Sequence, residues 1–72
     1  MMETKEKIWN MLVDLDVATN NEITLVTDIN GYTTKTLLDI ISARTGLQSL
    51  RQFVDEFGIV LEDYDLTEEE IQ

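Results

Sequence analysis

Apolar residues recur along this chain with the period of a helix. Ile8, Met11, Leu12 and Leu15 fall at i, i+3, i+4 and i+7, a spacing that gathers them on one side of an α-helix turning every ~3.6 residues. Thr4 stands where an N-cap belongs, and Trp9 lies at the border of the stripe. Asp16 follows the last stripe residue and is expected to end the helix in a left-handed or irregular conformation, which Asp tolerates better than most residues. A second start signal comes next. Thr19-Asn20-Asn21-Glu22 has capping-box spacing, in which Thr and Glu reciprocally satisfy exposed backbone N–H groups, with Val17 or Ala18 placed to pack on Ile23.

The segment ITLVTDI supports two readings. Ile23, Leu25, Thr27 and Ile29 alternate as in a strand, and Asn30-Gly31 is a hairpin signal that would return the chain through YTTKT, giving an α+β fold with a hairpin at residues 22–36. Against this, a capping box has no use in a strand, and Ile23, Val26 and Asn30 also keep helical spacing. The helix is preferred. Gly31 then serves as the residue after the helix, because it enters positive φ without a Cβ clash, and Tyr32 is expected to fold back onto the helix it follows.

Thr33 or Thr34 caps a third helix containing Leu37, Leu38, Ile40 and Ile41, closed by Gly46. Ser49-Leu50-Arg51-Gln52 opens a fourth, with Leu50, Phe53, Val54 and Phe57 as its apolar face and Gly58 as its end. Ile59, Val60 and Leu61 are expected to lie along the core as an extended strap. From Glu62 onward (EDYDLTEEEIQ) charge dominates, and although Thr67 to Glu70 repeats capping-box spacing, at most one turn fits before Gln72. The expected fold is all-α: a compact bundle of about four short helices forming a single domain over residues 1–61, followed by an acidic, mobile tail at 62–72.

Composition narrows the classes of function. A chain of 72 residues without cysteine has no covalent staple, and a core of this size supplies only ~3–5 kcal/mol of net stability. A homo-oligomer is therefore an open possibility. No apolar run approaches the ~20 residues that cross a bilayer, and MMETKEK has no apolar stretch behind its charges. The expectation is a cytoplasmic protein with no membrane association.

Charge changes the picture most. The net charge is −10, and its distribution is uneven. Up to Arg51, the acids Glu3, Glu6, Asp14, Asp16, Glu22, Asp28 and Asp39 nearly balance Lys5, Lys7, Lys35, Arg44 and Arg51; beyond it come only acids. Such a field repels nucleic acid and anionic lipid, since a phosphate backbone needs Lys and Arg to displace its counterions. Direct nucleic-acid binding is disfavoured, and a protein partner with a basic surface is the natural complement.

Two kinds of chemistry can be tested on the residues. DINGYTTKTLLD, residues 28–39, opens like a calcium-binding loop, with Asp28 and Asn30 at its first and third positions. However, Tyr32, Thr33 and Lys35 occupy the positions that need an oxygen ligand, the turn glycine and an apolar residue, and Asp39 replaces the bidentate Glu. The stretch reads instead as a helix end followed by a helix start, and no metal is expected. Enzyme chemistry has little to work with. Without His or Cys, the usual proton shuttle, the strongest nucleophile and the commonest transition-metal ligands are missing. Asp14 and Asp16, two residues apart on a helix, face different directions, and Ser42 and Ser49 have no base nearby in sequence. No catalytic residue and no cofactor are expected.

The remaining candidate is the acidic segment. Asp55, Glu56, Glu62, Asp63, Asp65, Glu68, Glu69 and Glu70 could present phosphate-like charges to a basic groove, with Tyr64 among them as an aromatic anchor. The competing reading is that the acids serve only solubility, in a structural or regulatory module that associates through an apolar patch. From Trp9 to Phe57, with LVTDINGY, TLLDII and ARTG as landmarks, the chain resembles small helical proteins of Firmicutes-type bacteria, their prophages and their plasmids. That resemblance implies a helical fold and brings no activity with it. In size and charge alone the chain is similar to mobile-element inhibitors that imitate DNA.

Overall fold

The computed structural model describes residues 3–72. Four helices follow one another: α1 (Thr4–Asp14), α2 (Asn20–Asn30), α3 (Thr34–Thr45) and α4 (Leu50–Phe57). A 3-10 turn, Leu61–Tyr64, and a single helical turn, α5 (Glu68–Ile71), complete the chain. Among the described residues there is no strand, so the all-α expectation holds and the alternative hairpin at 22–36 does not form. No helix among them is long and apolar enough to cross a membrane.

Local chemistry sets the boundaries. The Thr19 hydroxyl accepts from Glu22 N–H at 3.2 Å, Thr33 from Thr36 N–H at 3.2 Å, and Ser49 from Gln52 N–H at 3.2 Å, each satisfying a donor that the first turn of a helix leaves unpaired. The helix ends are equally explicit. Gly31 takes φ +96° and ψ 146°, a region essentially closed to residues with a Cβ, while its N–H donates to Thr27 O at 2.8 Å. Asp16 leaves α1 at φ +57°, as its position predicts. Thr4 does not cap α1; Glu3 holds that place without a side-chain bond, which leaves the Thr4 hydroxyl for a distant partner.

The core is assembled from every helix. Ile8, Met11 and Leu12 of α1, Ile23 of α2, Leu37 and Ile41 of α3 and Phe53 of α4 are essentially sealed from solvent. Helix α1 packs on α3 and on the 3-10 turn, α2 packs on α3, and α4 packs on α5. Buried Thr27 satisfies its own hydroxyl by donating to Ile23 O at 2.8 Å, so a polar side chain adds no unmet bond to the α2 contact.

Other expectations need correction as well. Tyr32 packs on Trp9 of α1, ring centres 5.4 Å apart and nearly perpendicular, and beneath the Lys5 ammonium at 4.6 Å, rather than on α2. The edge-to-face and cation–π attractions available at α1 account for this choice. Phe57 is 42% exposed and lies at the edge of the core, its ring centre 4.7 Å from that of buried Phe53. Above all, residues 62–72 are not a loose tail. Leu66 and Ile71 are buried in the core at 7% and 2% exposure, and the Thr67–Glu70 capping box shapes the turn that places Ile71 there. The domain therefore runs to the end of the described chain.

Ile71→Ala should lower the unfolding free energy by about 2–4 kcal/mol, the cost of emptying a buried aliphatic site, as measured by urea denaturation. A mobile tail would leave the midpoint where it was.

Candidate functional site

Folding rearranges the charge that looked so asymmetric in sequence. Each Lys and Arg side chain is engaged: Lys5 with Glu3 at 3.2 Å, Lys7 with Glu70 at 3.0 Å, Lys35 with Asp39 at 3.1 Å, Arg44 with Glu22, and Arg51 with Glu68 at 2.6 Å and Asp55 at 3.7 Å. Glu6, Asp14, Asp16, Asp28, Glu56, Glu62, Asp63, Asp65 and Glu69 take part in no ion pair among the described residues. The positive charge is spent inside the molecule, and the excess negative charge is left on particular surfaces.

The densest of these lies where the C-terminal half of α1 meets the 3-10 turn. Asn10, Asp14, Glu62, Asp63, Tyr64 and Asp65 line an open depression of about 290 Å³. Two features of the backbone build it. Helix α1 ends at Asp14, with Leu15 as its cap, so Asp14 sits in the last turn, where the helix carbonyls already present partial negative charge and no basic residue compensates them. Across from it, the turn Leu61–Tyr64 ends at Asp65 with φ +57°, which brings three carboxylates into a run of four residues.

Tyr64 joins the two walls. Its ring is half-buried against the core, and its hydroxyl donates to Asp14 Oδ2 at 3.1 Å. Burial first, and the bond to Asp14 second, push the phenol above its usual range, so it stays a neutral donor at physiological pH. Among the described residues the corner thus holds four carboxylates and no cation. Its chemistry is to attract positive groups and to offer them acceptors; each exposed pairing is worth only ~1 kcal/mol, and their effects combine within a Debye length of ~8 Å.

The residues expected from sequence to bind a partner divide into two groups. Glu62, Asp63 and Asp65 gather at the corner, while Glu56 and Glu69 are exposed elsewhere without ion-pair partners. Asp55 and Glu68 are drawn to Arg51, and Tyr64 is committed to Asp14 and the core, so it is not a free anchor. Glu70 is the furthest from its expected role. It accepts from Thr4 Oγ1 at 2.6 Å, from Lys7 Nζ at 3.0 Å and from its own cap, Thr67 N–H, at 3.0 Å. These bonds, Thr4 first and Lys7 next, draw its carboxyl down to about 2. Asp14 and Asn10 were not anticipated as site residues. Their i, i+4 spacing on the polar side of α1 marks a shared face, but nothing local shows what stands opposite.

No protein-family model matches the chain, and no curated protein and no solved structure matches it.

Glu70→Gln should cost about 2–4 kcal/mol at pH 7, because it strands a nearly buried ammonium. The folded carboxyl lies at about 2 against an ordinary 4.5, so its contribution is whole above pH ~4.5 and is lost as the pH falls towards 2. Urea titrations of both proteins at several pH values should show their stabilities converging in acid.

Proposed function

We propose that this chain is a non-catalytic, acidic protein-binding module that docks its α1/3-10 corner onto a basic surface of a partner protein. The observation that carries the reading is the segregation of charge: every basic side chain is used in an ion pair, whereas Asp14, Glu62, Asp63 and Asp65 share one depression with no counter-charge among the described residues. A surface that repels phosphate is complementary to the surfaces that bind it. The partner class is therefore a protein whose basic groove handles nucleic acid, and the chain acts on it as an inhibitor that mimics nucleic-acid charge.

The test removes charge without truncation, since Leu66 and Ile71 belong to the core. A variant carrying Glu62→Gln, Asp63→Asn and Asp65→Asn keeps the residue type that tolerates positive φ at position 65. Affinity capture from host lysate should recover a nucleic-acid-binding protein with the wild type at about 50 mM salt, lose it by about 500 mM, and fail with the variant. Added DNA should compete. Equal recovery by both proteins at both salt concentrations would remove the basis of the proposal.

A further inference from the structure

The acidic corner leaves unused a face of opposite character. On α2, Leu25 and Ile29 stand one turn apart and are 62% and 74% exposed. Alongside them, Val26 of α2 and Ile40 and Ala43 of α3 wall a groove of about 190 Å³, together with Asp39 and the Glu22–Arg44 ion pair. Positions 22, 25, 26 and 29 follow i, i+3, i+4, i+7 spacing, so projecting and recessed apolar surfaces occupy adjoining strips of one helix.

Charge narrows the choice of occupant. Helices α2 and α3 carry Glu22, Asp28 and Asp39 against Lys35 and Arg44, a balance of −1 in a molecule of −10. A basic or acidic partner gains little from such a face. For two copies that otherwise repel, it is where approach costs least. Because projection and groove adjoin on one face, a two-fold axis would set the Leu25 and Ile29 of each copy against the groove of the other. The groove exceeds the ~150 Å³ that accommodates a benzene ring, enough for a branched aliphatic side chain. Small cores without disulfide or metal gain stability from such pairing.

We infer that the α2–α3 face is the interface of a homodimer, in which Leu25 and Ile29 of each copy insert against the groove of the other. The patch is small, so the dimer is a weak, transient one. Sedimentation equilibrium from ~10 µM to ~1 mM should show reversible dimerisation that holds or strengthens with added salt, because screening reduces the repulsion between copies while apolar contact persists. Ile29→Lys and Leu25→Lys, both at exposed helical positions, should each weaken it at least about tenfold with unchanged circular dichroism. Lysine lowers the net negative charge, so general repulsion alone predicts the opposite direction. A wild type that stays monomeric at ~1 mM overturns the inference and leaves the face to a foreign partner. A dimer untouched by both substitutions overturns it as well.

Discussion

The structure depends on the meeting of Lys7 with Glu70. Lys7 lies on the inner side of α1 with its side chain 10% exposed, and an ammonium so placed is tolerable only with an anion and hydrogen bonds around it. Glu70 supplies the anion, and Thr4 and the Thr67 N–H complete the setting of its carboxylate. The pair joins residues 63 positions apart, so it fixes the return of the chain end onto the first helix. That return delivers Leu66 and Ile71 to a core that has few apolar residues to spare. A buried ion pair is weak as a source of net stability compared with apolar packing, but its geometry is demanding. Here it ties the terminal turn to α1 through a defined set of bonds from Thr4, Lys7 and the Thr67 N–H to one carboxylate.

What could be read from the sequence, and what could not, follows the range of the physics. Thr19, Thr33, Ser49, Gly31, Gly46 and Gly58 mark helix ends through bonds and torsions confined to a few neighbouring residues, and all six act as their positions suggest. The Asn30-Gly31 ambiguity is resolved for the same reason, since a cap and a helical stripe agree locally where a hairpin would need a partner strand. The terminal segment failed under composition. Acids outnumber apolar residues there, and only the identity of what faces them, Lys7 and Arg51, shows that two of those acids are structural. Tyr64 and Asp14, 50 residues apart, meet for reasons that no local pattern encodes. The charged site was therefore legible as a composition and illegible as a surface.

This separation alters what net charge means for the molecule. A value of −10 suggests a diffuse field, yet the five bases are placed so that the α2–α3 face and the inner side of α1 are nearly balanced. The excess is displaced to the α1/3-10 corner and a few isolated carboxylates. Because exposed charges act only over about a Debye length, this local arrangement, more than the total, governs what the protein meets.

The two faces are built from different elements. None of Asp14, Glu62, Asp63 or Asp65 belongs to α2 or α3, so a pairing of copies through those helices would leave both corners open. It would present two equivalent acidic depressions related by a two-fold axis. On a partner with a single basic groove the second corner adds little, but on one with repeated basic sites it converts a second weak contact into an intramolecular one. The gain in avidity is then set by the spacing of the sites, without any new interaction. The weakness of each exposed charge pair, ~1 kcal/mol or less, makes that multiplication physically consequential: several feeble contacts, held in fixed register by an apolar seam, can achieve what one corner cannot.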